Sequence, residues 1–152
     1  MNNKEDFKVF RLFRLNGKPR NASSIMDVLW QPPLPGRVKA NTDGSALESP
    51  TAAAIRILFR DHHANYLRGS SQNIGYQSSS FAEFQAVLKA LEIAKHQNWK
   101  HLLIESDSMN VVLASKNTAS VPWRLRNSWA NLSVVEEGSR VIFTQICREG
   151  NI

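Results

Sequence analysis

The sequence predicts an α/β domain in which five strands form a mixed sheet flanked by helices, in the order βββαβααβ. Apolar residues alternate with polar ones near residues 38–42, which is typical of a strand, and recur at helical spacing after residue 80. Three strands joined by short links favour an antiparallel meander, and the later strand–helix–strand units require parallel neighbours. The composition of the 152 residues, 42% hydrophobic and 21% charged, is that of a globular protein.

Residues 1–36 are predicted to be a basic, proline-ending linker that precedes a domain over residues 37–152. The segment 1–40 carries eight basic and three acidic residues, so it holds most of the chain's net charge of +6. Two interpretations stay open: a basic tail adds non-specific affinity for phosphates, or the segment is a solvated linker. The rest of the chain is nearly neutral, so the global charge does not identify the partner of the domain.

Cysteine usage and apolar runs predict an intracellular protein, in the nucleus or the cytoplasm, with no membrane segment. Cys147 is the only cysteine, which excludes an internal disulfide framework. No apolar run approaches the roughly 20 residues that a membrane helix needs. The sequence does not indicate an oligomeric state.

The first three strands are predicted from alternation and turn residues. The first covers residues 38–42 and is expected to end at the turn-forming pair Asp43–Gly44. The second covers residues 52–59, and a turn over residues 61–65 leads to a third strand over residues 66–71.

The later elements begin with the longest periodic segment, a helix over residues 81–98. Ser80 and Glu83 fit the S-x-x-E pattern of a capping box, which would place Glu83 in the first turn. The remaining elements are a strand over 101–105, a short helix from Ser108 to residue 113, a helix that ends near Gly138 and a strand over 141–147. Core packing is the expected role of Trp99, Trp123 and Trp129, with base stacking as the alternative.

Three acidic residues at element ends are the candidate site. Asp43 ends the first strand, Glu83 opens the long helix and Asp107 follows the fourth strand. Each has a structural explanation alone, as a turn residue or a helix cap. If the first and fourth strands are neighbours, however, the three carboxylates gather into a site for Mg²⁺, which prefers oxygen ligands. Two such ions can activate water for phosphodiester hydrolysis, so the pattern favours a nuclease.

Five short segments share their order and character with one family: residues 39–45 (KANTDGS), 59–63 (FRDHH), 81–83 (FAE), 104–108 (IESDS) and 148–151 (REGN). Together they resemble the plant ribonuclease H-like domain family, of type 1 ribonuclease H and retroelement-derived, reverse-transcriptase-like origin. The resemblance implies a ribonuclease H-like fold and cleavage of the RNA strand of RNA–DNA hybrids with Mg²⁺, or alternatively Mn²⁺. It also implies that Asp43, Glu83 and Asp107 are the catalytic, metal-binding carboxylates, and that Gly44 and Ser45 contact nucleic acid.

The sequence departs from this family at several positions. The family motif continues to an Ala-Asp pair that supplies a fourth carboxylate and opens a C-terminal helix, whereas this chain stops at Ile152. Gln145 stands where active members carry a histidine, and Arg56 and Ile57 stand where the family usually has two glycines. We therefore expect a C-terminally truncated fold and impaired turnover. The alternative is a non-catalytic nucleic-acid or protein interaction module derived from a retroelement.

Overall fold

A computed structural model describes residues 30–47, 52–134, 137–148 and 151 of the chain. Residues 1–29, which hold most of the predicted linker, lie outside this part. The described residues form the elements β1 (Val38–Ala46), β2 (Ala52–Arg60), β3 (Tyr66–Tyr76), α1 (Ser79–His96), β4 (His101–Ser106), α2 (Met109–Ala114), α3 (Arg126–Ser133) and β5 (Arg140–Gln145), with 3₁₀ turns at Thr118–Ser120 and Trp123–Leu125. The predicted order βββαβααβ is confirmed. None of the described helices has the length and apolarity that a membrane crossing requires.

The five strands form one mixed sheet in the order β3-β2-β1-β4-β5. Strand β2 runs antiparallel to both β1 and β3, whereas β4 runs parallel to both β1 and β5. The first and fourth strands are therefore neighbours, as the grouping of the three acids requires. Because β1 and β4 are parallel, their carboxyl ends lie at the same edge of the sheet.

The apolar core lies between the sheet and helices α1 and α3. Trp129 of α3 is almost fully buried, with its ring centroid 5.6 Å from that of Phe84 and 5.8 Å from that of Phe143. Trp99 packs on Phe59 with ring centroids 5.0 Å apart. The core therefore depends on aromatic contacts between helices and sheet, which add to the gain from burial.

Trp123 corrects the expectation that the three tryptophans pack in the core. Its side chain is 78% exposed, whereas Leu125, two residues later, is buried. The pair belongs to a 3₁₀ turn, where neighbouring side chains point in different directions, so the turn buries one of them and leaves the other in solvent.

The predicted end of the first strand at Asp43–Gly44 is wrong. Strand β1 continues to Ala46, with Asp43 opposite Arg56 and Gly44 opposite Ile55. The antiparallel ladder with β2 gives these residues partners along the strand, and it overrides the turn propensity of an Asp–Gly pair.

The predicted capping box at the start of the long helix is also wrong. The N-cap of α1 is Ser78, whose hydroxyl accepts a hydrogen bond from the Phe81 backbone N–H at 3.1 Å. Glu83 lies beyond the first turn and is buried, so it does not cap the helix. Its carboxylate faces Asp43 and Asp107 instead.

Other boundaries also differ from the predictions, including the long helix, which ends at His96 and not at residue 98. Strand β3 extends to Tyr76 because backbone pairing with β2 continues to that residue. The side chains of this extension are mostly exposed and show no apolar alternation, so the sequence does not indicate it. Helix α3 ends at Ser133 and not near Gly138, since its core-facing positions end at Leu132. Strand β5 ends at Gln145, where its pairing with Ser106 at the end of β4 stops.

A buried ion pair lies on the sheet face opposite α1. Lys39 Nζ is 2.6 Å from Glu105 Oε1, and both side chains are largely withdrawn from solvent. Asn41 Nδ2 donates to Glu105 Oε2 at 3.0 Å, and Trp30 Nε1 donates to Asn41 Oδ1 at 3.1 Å. The Trp30 ring also lies 4.9 Å from Lys39 Nζ. Trp30, which falls in the predicted linker, therefore contacts the sheet and helps to cover this network.

Replacing Lys39 should destabilise the domain far more than replacing an exposed lysine. In K39M the Glu105 carboxylate stays buried without its cation, and such losses cost about 3–5 kcal/mol. K89M removes the exposed Lys89–Glu92 pair of α1 and should cost at most about 1 kcal/mol. Urea unfolding gives both free energies. Equal losses in the two variants would contradict a stabilising role for the buried pair.

Candidate functional site

Three different elements bring Asp43, Glu83 and Asp107 together. Asp43 lies in β1, Glu83 in α1, and Asp107 directly after β4. Each residue offers a carboxylate oxygen, and these three atoms lie within 4.8 Å of one another. The parallel pairing of Thr42 with Ser106 places Asp43 and Asp107 side by side at the sheet edge. We call these three residues the acidic cluster.

Gly44 allows α1 to approach the sheet closely enough for Glu83 to join the acidic cluster. A Cβ atom at Gly44 would lie 2.2 Å from the carbonyl carbon of Ala82 and 2.3 Å from the Glu83 nitrogen. The Gly44 backbone N–H also donates a hydrogen bond to the Glu83 carboxylate. Gly44 is buried whereas Ser45 is exposed. The predicted nucleic-acid contacts of these two residues stay predictions.

Asn151 holds the backbone next to Asp43. Its side-chain nitrogen donates to the Thr42 carbonyl at 2.7 Å, and its side-chain oxygen accepts from Asn41 Nδ2 at 3.2 Å. Asn151 thus fixes the segment of β1 that presents the first carboxylate. Asn151 belongs to the REGN segment of residues 148–151, and its role was not predicted from the sequence. The sequence does contain a signal for this contact. Alternate positions of β1 are polar, at Lys39 and Asn41, which indicates that polar groups pack against this face of the strand.

Burial and charge act together on Glu83. Desolvation, followed by the nearby Asp107 and Asp43 carboxylates, raises the pKa of Glu83 from 4.5 to about 8. The Gly44 N–H and the Arg148 guanidinium oppose this rise in pKa. A carboxyl group in this state binds a proton near neutral pH unless a cation compensates its charge.

Two oxygens of the acidic cluster lack a hydrogen-bond partner within the described part of the chain. Glu83 Oε2 and Asp107 Oδ1 are buried and receive no hydrogen bond from any described residue. Buried carboxylate oxygens are normally paired because desolvation is costly. A set of three carboxylates with unpartnered oxygens fits a hard divalent cation such as Mg²⁺ or Mn²⁺.

Two arginines contact the outer carboxylates of the acidic cluster. Arg56 Nη2 lies 3.3 Å from Asp43 Oδ2, and Arg148 Nε lies 3.2 Å from Asp107 Oδ2. From the sequence, Arg56 is only a departure from a glycine pattern. Its position opposite Asp43 follows from the extension of β1 past the predicted turn.

The model of the reverse transcriptase-like family matches residues 41–152, which is most of the described domain. No curated protein matches the chain.

Solved ribonuclease H structures are similar to the chain. RNase H1 from the halophilic archaeon Halobacterium salinarum has 24% identity and a TM-score of 0.65, over 76% of this chain and 89% of that one. The N-terminal RNase H domain of rv2228c from Mycobacterium tuberculosis has 20% identity and a TM-score of 0.67, over 76% and 90%. LC11-RNase H1 in complex with an RNA/DNA hybrid has 26% identity and a TM-score of 0.64, over 75% and 88%. The five-stranded sheet with its helices is thus a ribonuclease H-like fold.

Adding one methyl group at Gly44 should disrupt the contact between β1 and α1. In G44A the new Cβ meets backbone atoms, which cannot rotate away, so the loss should reach or exceed the about 1–3 kcal/mol typical of an overpacked core. G69A is the matched control, because its nearest atom is the end of the flexible Tyr66 side chain at 3.1 Å. Urea unfolding of both variants tests this, and a G44A protein as stable as G69A would contradict the close contact.

Without metal, the stability of the domain should fall as pH rises from about 5 to about 8. Folded Glu83 keeps its proton to about pH 8, whereas the unfolded chain releases it near pH 4.5. Between these values the folded state binds more protons, so the free energy of unfolding decreases with increasing pH. Thermal unfolding in a chelator measures this slope. E83Q should flatten it, and an unchanged slope in E83Q would show that another group is responsible.

Proposed function

The chain belongs to the reverse transcriptase-like family, and from this membership and the acidic cluster we propose a ribonuclease H-type function. In this proposal the domain binds RNA–DNA hybrids and hydrolyses phosphodiester bonds of the RNA strand with a divalent metal, Mg²⁺ or alternatively Mn²⁺. The observation that carries the proposal is the convergence of three carboxylates from β1, α1 and the end of β4 within 4.8 Å. LC11-RNase H1, at 26% identity, was solved with an RNA/DNA hybrid, which supports the choice of substrate.

Asp43, Glu83 and Asp107 would hold the metal. When bound, a divalent ion activates water and stabilises the leaving oxygen of a phosphodiester. The protein's own contribution is to fix the positions of the ligands and to set their protonation state. Glu83 must give up its proton to act as a ligand, so metal binding near neutral pH should release a proton. The Gly44 N–H favours the ionised form of the Glu83 carboxyl group, since it lowers the pKa of that group.

Asn151 and the buried ion pair of Lys39 and Glu105 hold the strands that carry the metal ligands. Asn151 holds the Thr42 carbonyl, and Glu105 holds Asn41 in the same strand. Thr42 Oγ1 also donates to the Glu105 carbonyl at 3.2 Å, which ties β1 to β4 next to both aspartates. A rigid scaffold of this kind keeps like charges together despite their repulsion.

A second candidate function is a non-catalytic binding module. Gln145 borders the same pocket as Asp107, and an amide side chain cannot transfer a proton near neutral pH. Among the described residues the acidic cluster has three carboxylates, so a second ion would be held weakly. These features favour slow turnover, and a module that has lost turnover would keep only hybrid binding.

Substitution of a single carboxylate should abolish hybrid cleavage. We expect E83Q and D43N to lower the cleavage rate of a labelled RNA–DNA hybrid at least about 100-fold. Substitution of a residue that only hydrogen-bonds to a metal ligand already lowers metal affinity or activity about 10–100-fold. E83Q replaces a carboxyl group that is already protonated near neutral pH with a neutral amide of nearly the same shape, so its loss of activity cannot be ascribed to poor folding. E92Q makes the same change on the exposed side of α1 and should leave the rate unchanged.

Hybrid binding separates the two candidate functions. The catalytic proposal requires cleavage that depends on Mg²⁺ or Mn²⁺ and disappears in D43N. Tight hybrid binding without cleavage, unchanged by D43N, would favour the binding module. Cleavage that survives in both E83Q and D43N would mean that the acidic cluster is not the active site.

A further inference from the structure

Two arginines stand on opposite sides of the acidic cluster, and each contacts a different carboxylate. Arg56 is the cross-strand partner of Asp43, so the β1–β2 ladder places it there. Arg148 follows β5 and reaches Asp107. The cluster with its two arginines thus combines three carboxyl groups with two permanent positive charges. Glu83, between them, has no such direct partner among the described ion pairs.

Both arginines are easily released from their partners. The Arg56 side chain is 66% exposed and that of Arg148 is 75% exposed, whereas the Asp107 side chain is only 14% exposed. Ion pairs with such exposed partners contribute about 0–1 kcal/mol, so little free energy opposes their separation. Their charges nevertheless lie within a few ångströms of the cluster and lower its affinity for any cation.

Arg56 and Arg148 border open regions that flank the acidic cluster. Arg56 and Asp43 border a cleft of about 440 Å³ that Tyr66 and Ser70 also line. Arg148 borders a second pocket together with Asp107 and Gln145. A guanidinium has five N–H donors and binds phosphates in a bidentate manner, and each of these contacts with Asp uses only one nitrogen. A phosphodiester chain that crosses the cluster would meet one arginine on each side.

We propose that Arg56 and Arg148 are exchangeable counter-cations that make metal and nucleic acid bind cooperatively. In the free protein they pair with Asp43 and Asp107 and oppose the metal. When a nucleic acid binds, its phosphates form ion pairs with the two guanidinium groups in place of Asp43 and Asp107. The two carboxylates then become available to the cation. By thermodynamic linkage the metal strengthens nucleic-acid binding by the same factor. This inference rests on the proposed function, because it needs both ligands at the acidic cluster.

Mn²⁺ binding to the full chain tests the inference without relying on cleavage. Free Mn²⁺ is followed by electron paramagnetic resonance for the wild type, R56Q, R148Q and the double variant. Without nucleic acid, each single substitution should tighten Mn²⁺ binding about threefold to tenfold, because a nearby positive charge is removed. R140Q makes the same charge change at the other end of β5 and should alter the affinity less than about twofold. R56K and R148K keep the charge and should bind Mn²⁺ nearly as the wild type does.

The second arm adds an RNA–DNA hybrid whose RNA strand carries 2′-O-methyl groups, which block its cleavage. The D43N protein with the same hybrid gives the background of Mn²⁺ bound by the nucleic acid. The hybrid should tighten Mn²⁺ binding to the wild type about fivefold or more, since phosphates neutralise the two arginines, and tighten binding to the double variant less than about twofold.

Each outcome decides one of the two proposals. If R56Q and R148Q bind Mn²⁺ no more tightly than the wild type, or if the hybrid helps the double variant equally, the inference is overturned. The proposed function stands in that case, provided that D43N lowers Mn²⁺ affinity. If neither the wild type nor the arginine variants bind Mn²⁺, the metal site fails, and both the proposed function and this inference fail with it.

Discussion

The contact between Gly44 and the first turns of α1 is the constraint on which the site depends. Because Gly44 has no side chain, the helix backbone lies against β1 at a distance that no other residue would allow. This approach buries Glu83 and aligns it with the Gly44 N–H. The same approach brings Glu83 to Asp43 and Asp107, so one backbone contact sets both the geometry and the electrostatics of the acidic cluster. The raised pKa of Glu83 is thus a consequence of packing as much as of charge.

The two faces of the sheet contribute to the site in different ways. On the helix side, aromatic and aliphatic packing holds α1 at its angle to β1, with Phe84 and Trp129 at the centre. On the opposite face, the buried pair of Lys39 and Glu105 holds Asn41 and, through Asn151, the segment before Asp43. The apolar face supplies most of the stability. The polar face specifies the register of β1 against β4, because a shift would leave a buried charge unpaired.

The sequence was sufficient to predict the element order and the parallel pairing of the later strands, and it predicted the grouping of the three acids on the condition that the first and fourth strands are neighbours, which the structure meets. These features depend on periodicity and on the handed, short connections of α/β folds, which are local or nearly universal. The errors occurred where two physical effects compete. Asp43–Gly44 has the composition of a turn, yet cross-strand pairing keeps it extended. Ser78 and Ser80 are both adequate caps by composition, and in the structure it is the Ser78 hydroxyl that accepts from the Phe81 N–H.

Burial of charge was the other feature that the sequence concealed. Lysine and glutamate are normally exposed, so nothing local indicates that Lys39 and Glu105 meet inside the protein, 66 residues apart in the chain. The alternation of Lys39 with Val38 and Ala40 in β1 is compatible with a solvated face. Trp123 shows the opposite case, since a large apolar side chain is left in solvent by a tight turn that buries its neighbour. Both depend on tertiary contacts that periodicity does not describe.

The acidic cluster also opposes the folding of the domain that contains it. Three carboxyl groups at the junction of β1, α1 and β4 repel one another, and two of their oxygens lack any described hydrogen-bond donor. Such local conflict within an otherwise consistent structure is typical of sites maintained for activity at the expense of stability. A ligand that binds only the folded state would recover this loss by mass action. The folded population of the domain should therefore increase with the concentration of free cation. Of the three carboxyl groups, that of Glu83 is the one whose replacement by an uncharged side chain would be favoured first if stability alone were selected.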